Sequence, residues 1–249
     1  MIDIYKILFH IGSTPVYSYG FMVSLGVIAA FICGIICGKD RNFKTDKTIY
    51  MILFVFLSGL AGAKILFIIL HLHNFIASPL EIFRVTGSGL AWHGGVAGGI
   101  LFMIYFSRTE KIPFLDVADL SVLCGILGLV FGRIGCFLNG CCYGKPSSLP
   151  WAVIFPRTGD LPRHPTQLYE SFLDLAVFLI LLYLWKKNRY KGEVFCGFIF
   201  LYGIVRFTVE FWREHFLPLT LGLTVAQLIS IGMIITGLIL YRKIRRSTS

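Results

Sequence analysis

The sequence predicts an all-α integral membrane protein of about seven transmembrane helices. Three observations carry the prediction. Apolar residues make up 56% of the chain and the mean hydropathy is +0.78, whereas charged residues make up 14%, well under the roughly 25% of a soluble domain. The apolar residues gather into seven runs of about the 20 residues that a helix needs to cross the hydrocarbon. The 23 Lys and Arg against 13 Asp and Glu stand in short clusters between those runs. A nucleic-acid surface would need them in one exposed patch, so the charge pattern is that of a membrane protein with no nucleic-acid partner.

In chain order the spans read as 17–37, 49–70, 89–107, 115–135, 168–185, 194–212 and 223–241. Ahead of them, Met1 to Phe9 lacks a basic stretch followed by an apolar core and a small-residue cleavage site, so no cleavable signal is expected. Lys39, Arg41, Lys44 and Lys47 follow the first span, and Arg108 with Lys111 the third. Lys186, Lys187, Arg189 and Lys191 follow the fifth, and Arg242, Lys243, Arg245 and Arg246 the seventh. Clusters after every odd span lie on one side, which the positive-inside rule makes cytoplasmic. The N-terminus is then external, the C-terminus cytoplasmic and the number of spans odd. Residues 1–249 are expected to form a single polytopic domain, with no internal repeat. Its external connection, about 136–166, is stiffened by Pro146, Pro150, Pro156, Pro162 and Pro165. Glycines in the second, third and fourth spans (Gly59, Gly62, Gly94, Gly95, Gly98, Gly99, Gly132, Gly135) permit close helix approach.

Polar groups inside spans need a reason, because a charge at a helix centre costs at least ~2.5–3.5 kcal/mol on insertion scales. Lys64, His93, Arg133, Arg206 and Glu210 are such groups, with Tyr19, Gln167, Tyr169 and Glu170 near span ends. The orientation places all of them toward the external side, which suggests a cavity open to the outer leaflet. Each also has a structural reading. Lys64 could snorkel along its helix, Arg206 and Glu210 could neutralise each other at i,i+4, and a lone His93 is more often structural than catalytic. Arg133, between Gly132 and Gly135, is left without a partner by these readings. With Arg206 and Arg213 it makes an anion site, since the guanidinium fork suits phosphate. The anion is a phospholipid head group or a soluble anion in transit.

These residues resemble the prolipoprotein diacylglyceryl transferase family of bacterial membrane enzymes. The resemblance runs in order through Tyr19-Gly20, Gly59-Leu60-Ala61-Gly62-Ala63-Lys64 and Trp92-His93-Gly94-Gly95. It continues through Gly132-Arg133-Ile134-Gly135, Asn139-Gly140 and Gly144. It ends with Pro162-Arg163-His164-Pro165-Thr166-Gln167-Leu168-Tyr169-Glu170, then Tyr202-Gly203 with Arg206, Glu210 and Arg213. It implies transfer of the diacylglyceryl group of phosphatidylglycerol to the lipobox cysteine thiol of a preprolipoprotein. The product is a thioether, glycerol-1-phosphate is released, and the site faces the outer leaflet of the bacterial inner (cytoplasmic) membrane. It further implies a catalytic set of His93, Arg133, Arg206 and Tyr19. Substrate contacts are expected from Asn139, Gly144, Gly94, Gly95, His164, Gln167, Tyr169, Glu170, Glu210, Arg213 and Lys64. The chemistry calls for no cofactor or metal; His93 is the candidate general base and the arginines stabilise the leaving phosphate.

One motif departs from the family's pattern Gly-Arg-x-Gly-Asn-Phe-x-Asn-Gly-Glu: Cys136 stands at the first Asn and Cys141 at the Glu, followed by Cys142. Three readings stay open here. Cys136 could form a disulfide with Cys141 or Cys142, as an external compartment permits. The three could bind a metal if His164 came in as a fourth ligand. They could also be ordinary small residues at a helix end. The alternatives to the transferase are a divergent paralogue with another acceptor, an anionic-lipid transporter or scramblase, and a membrane thiol oxidoreductase. The transporter predicts polar residues continuing to the inner face, where only Asp116 and Asp119 occur, and the oxidoreductase lacks a C-x-x-C motif and leaves the arginines idle.

Overall fold

A computed structural model describes residues 6–73, 89–156, 158–187, 190–214 and 222–248. Met1 to Tyr5, on which the expectation about a cleavable signal partly falls, and Arg189 of the third basic cluster lie outside the described residues. Among the described residues a short hairpin, β1 (Ile7–Ile11) and β2 (Thr14–Tyr17), precedes seven long helices. These are α1 (Ser18–Asp40), α2 (Thr45–Leu70), α3 (Trp92–Glu110), α4 (Phe114–Leu138), α5 (Thr166–Lys187), α6 (Glu193–Val209) and α7 (Val225–Thr248). Every expected span coincides with a helix. A 3-10 turn, Glu210–Trp212, prolongs α6. Hydropathy gives no sign of the hairpin, whose turn is built on Gly12 at φ 60°.

Six of the seven helices are long and apolar enough to cross a membrane. The other is α3, whose 19 residues reach about 28 Å at the usual rise. Four glycines, His93, Arg108 and Glu110 dilute its apolar character. Elsewhere the surface is apolar in a way that water would penalise. Ile28, Ile32 and Ile36 repeat at i,i+4 on α1 at 53–56% exposure, and Phe172 on α5 is 73% exposed. These faces suit lipid contact.

The bundle is organised around α4, which packs on α1, α5 and α6 and more lightly on α3. Val117, Leu120, Leu123 and Ile126 on it are fully buried. Between α2 and α3 the backbones touch: a Cβ on Gly62 or on Gly94 would run into the carbonyl of the other. That contact is the small-residue packing expected inside a bilayer, and it fixes α3, with His93 in its first turn, against α2.

The ends of the helices away from the site are tied by charge. Arg41, after α1, pairs with Asp119 at 2.8 Å and Asp116 at 3.4 Å on α4, and its guanidinium stacks 3.9 Å above the Trp185 ring of α5. Asp119 also accepts from the backbone N–H of Gly192 at 2.9 Å and of Phe195 at 2.7 Å. It thereby caps the start of α6, where a carboxylate also meets the positive end of the helix dipole. Lys191 reaches Asp116 at 3.0 Å, Asp40 takes Trp185 at 3.1 Å and Lys186 at 2.8 Å, and Lys47 pairs with Glu110. Residues after the first and fifth spans therefore meet at one end of the bundle with the start of α2 and the end of α3, as the alternation of spans requires.

Candidate active site

At the opposite end, Glu170 in the first turns of α5 gathers three arginines from three other positions in the chain. Arg133 of α4 places Nε 2.5 Å from Glu170 Oε2, close as an ion pair though not aligned as a hydrogen bond. Arg206 of α6 donates Nη1 to Glu170 Oε1 and sets Nη2 3.3 Å from Glu210 Oε2. Arg213, just beyond the 3-10 turn, donates Nη1 to Glu170 Oε1 at 3.2 Å. Glu170 is 2% exposed, whereas the arginine side chains are 19–23% exposed. Glu210 is anchored in turn by the Thr224 hydroxyl at 3.0 Å. Three guanidinium groups on partly open side chains thus stand around two carboxylates, and Asp174, one helical turn below Glu170, is a further acid in the field of Arg133 and Arg206.

The segment between α4 and α5 folds over this cluster. Gly144 bridges to Arg213 and receives its close neighbours only because it has no side chain: a Cβ would run into the Trp212 carbonyl and lie 2.9 Å from His164 Cβ. Arg163 donates to the Gly144 carbonyl at 3.2 Å and to Glu214 at 2.5 Å. Trp151 Nε1 donates to the Tyr169 hydroxyl at 2.8 Å, which is also 3.2 Å from His164 Nδ1. Phe137, Val153 and Phe155 form a small apolar core beneath.

The end of α4 is a Schellman cap. Asn139 closes the helix and Gly140 turns left-handed at φ 68°. The N–H of Gly140 bonds the Phe137 carbonyl at 3.0 Å, and that of Cys141 the Cys136 carbonyl at 3.1 Å. That 6→1 bond is the one that brings the residue after the cap back over the third residue from the helix end, so Cys141 returns to Cys136. Gln167 and Thr166, each 1% exposed, donate to the carbonyls of Cys141 at 2.6 Å and Cys142 at 3.0 Å. All three cysteines are thiols, with sulfurs within 4.8 Å of one another. The disulfide of Cys136 with Cys141 or Cys142, one of three readings the sequence leaves open, is not formed in this structure. Cys142, outside the helices, has its thiol pKa raised: a hydrogen bond with Cys136 lowers it, and bonding to Cys141 together with burial outweighs that. Tyr19, second residue of α1, lies against Gly135 and in the electrostatic field of Arg133 and the three cysteines.

The structure thus joins Arg133, Arg206, Arg213, Glu170 and Glu210 directly. It places Asn139, Gly144, His164, Gln167, Tyr169 and Tyr19 around them. Lys64 is half-buried on α2, and His93 is exposed beside buried Gly94 and half-buried Gly95. Among the described residues, no hydrogen bond or ion pair joins His93 to the arginine cluster. Asp174 escapes the sequence reading. It lies one helical turn below Glu170, is 1% exposed, and has Oδ1 lacking a partner among the described residues. Its signal is a carboxylate at i,i+4 from Glu170 inside an apolar span. Arg163 enters from sequence only through the resemblance, because its two acceptors are distant along the chain.

A helical bundle with lipid-facing sides and three arginines gathered on one buried glutamate at one end defines a class, polytopic membrane proteins with a charged cluster at one end of the bundle. Comparison with known proteins narrows it. The family model described as prolipoprotein diacylglyceryl transferase matches residues 6–242. The chain is 37% identical over 239 residues to phosphatidylglycerol–prolipoprotein diacylglyceryl transferase 2 of Clostridium perfringens, covering 94% of this chain and 93% of that protein. It is 38% identical over 239 residues to the corresponding transferase of Geobacter sulfurreducens, covering 93% and 92%. The chain belongs to the prolipoprotein diacylglyceryl transferase family.

Proposed function

We propose that this protein transfers the diacylglyceryl group of phosphatidylglycerol to the lipobox cysteine thiol of preprolipoproteins. The observation that carries the reading is the cluster on Glu170. A phosphodiester bears one negative charge, and Glu170 gathers three partly exposed guanidinium groups that can receive it. The substrate sulfur attacks the glycerol C3 carbon, an S–C bond forms as the C–O bond to phosphate breaks, and the electron pair leaves on the phosphate oxygen. Glycerol-1-phosphate departs with one more negative charge than the diester carried, so the arginines bind the transition state better than the substrate. A thiol has an ordinary pKa near ~8.5, so its proton needs an acceptor. His93, exposed and followed by Gly94 and Gly95, is assigned that role.

Orientation follows from the basic clusters. With their end of the bundle in the cytoplasm, the arginine site lies in the outer leaflet of the inner membrane, where a signal peptide emerges beside phosphatidylglycerol. The test is transfer of labelled diacylglyceryl from phosphatidylglycerol to a lipobox peptide by the purified protein, beside Arg133→Ala and Arg206→Ala. Thioether product that is lost in both variants is the expected result. Absence of product in the wild type, or full activity in both variants, overturns the proposal.

A further inference from the structure

The transfer reaction leaves three thiols at the mouth of the site without a task. Cys136 lies one turn past Arg133 on the same face of α4, Cys141 is folded back over it by the cap, and Cys142 follows at φ 64°. Positive φ is uncommon for a side-chain-bearing residue and persists where the surroundings impose it. Here the surroundings are Gln167 and Thr166, whose buried side chains grip the two adjacent carbonyls. The geometry is therefore held by α5 and not only by the local chain.

We infer that Cys136, Cys141 and Cys142 form a trithiolate site for a thiophilic d10 metal ion, zinc(II) or copper(I). Around one ion with metal–sulfur bonds of ~2.3 Å, tetrahedral sulfurs stand about 3.8 Å apart. The three sulfurs here already lie within 4.8 Å, so side-chain rotation alone closes the set. A disulfide needs two sulfurs at about 2.05 Å and leaves the third unexplained; the metal uses all three. Thiolate sulfur selects soft ions over magnesium or calcium. Cys142 is exposed, which supplies an entry path and a face where water completes the zinc shell, whereas copper(I) is satisfied by three sulfurs. Binding is a proton exchange: each S–metal bond replaces an S–H bond, the protons leave to water, and no electron moves. Affinity accordingly rises with pH. The site is independent of whether the protein is a transferase.

The test titrates the purified full-length protein, reduced and then freed of reductant under anaerobic conditions, with zinc(II) and separately with copper(I) against a competing chelator. Cadmium(II) serves as a spectroscopic probe for thiolate ligation. One equivalent of ion, a cadmium–thiolate charge-transfer band, and an affinity at least a hundredfold weaker in both Cys142→Ser and Cys136→Ser are expected. The double variant Cys33→Ala/Cys37→Ala, which removes a separate pair of sulfurs 3.9 Å from each other in α1, retains binding. Cys142→Ser alters an exposed residue, and an unchanged elution profile shows that it has folded. Binding that survives Cys142→Ser, or that disappears only in the Cys33/Cys37 double variant, overturns the site. So does wild-type protein, isolated without reductant, in which peptide mapping finds a disulfide joining Cys136 to Cys141 or Cys142.

Discussion

Glu170→Gln tests the site most sharply, because the substitution keeps shape and removes one charge. In the native protein Glu170 receives three guanidinium groups while 2% exposed. Removing one partner from a buried charge set typically costs about 3–5 kcal/mol, much of it from charges left uncompensated. The arginines here keep 19–23% exposure, and Glu210 still faces Arg206, so about 3 kcal/mol is the expectation. That corresponds to roughly a hundredfold rise in the unfolded population. The cluster also becomes one unit more positive, so a phosphodiester or inorganic phosphate should stabilise the variant more than the wild type. The loss of a common anchor should spread the arginines, and a misplacement of about 1 Å costs about a hundredfold in rate. Chemical denaturation in detergent, with and without phosphatidylglycerol, reads the first effect, and the diacylglyceryl transfer assay reads the second. A variant within twofold of wild type in rate, with unchanged stability and no added response to phosphate, would refute the reasoning.

His93→Gln should bind phosphatidylglycerol normally and lose transfer by at least a hundredfold, as removal of a general base does; near-normal turnover would remove His93 from the mechanism. Gly144→Ala should cost about 1–3 kcal/mol by overpacking, because its methyl would meet the Trp212 carbonyl, and limited proteolysis should show the connection before α5 loosened. Gly94→Val should separate α3 from α2 and impair transfer without altering the arginine cluster, which phosphate protection against denaturation would report. Arg41→Met should destabilise the bundle by about 3–5 kcal/mol, since Asp119 is fully buried, while leaving the KM for phosphatidylglycerol unchanged in the protein that remains folded.

The helices are legible in the sequence because hydropathy answers to the bilayer rather than to the neighbours: all seven spans fall on α1 to α7. The hairpin is not, since its strands are short and its turn rests on the backbone of Gly12. Of the site, the charges can be found because a charge in an apolar run costs energy wherever it sits. Their grouping cannot: along the chain Glu170 is one polar residue among many, and nothing in its spacing announces that Arg133, Arg206 and Arg213 all end on it. The cysteine cluster lies between the two cases. Asn139-Gly140 is a helix-stop signal, and a Schellman cap at that signal by itself sets Cys141 over Cys136. The approach of Cys142 depends instead on Thr166 and Gln167, which come from another helix.

The ion pairs joining Arg41, Asp116, Asp119, Lys191, Asp40, Lys186, Lys47 and Glu110 bind six of the helices at the end remote from the site. Of these only the pairs of Arg41 with Asp116 and Asp119 are buried on both sides. At the other end Glu170 ties α4, α5 and α6 in the same way. Those three helices are therefore clamped by charge at both ends, like the rungs of a ladder fixed to two rails. A two-tailed lipid and a peptide that meet at the arginines meet on a frame whose spacing is set from both sides.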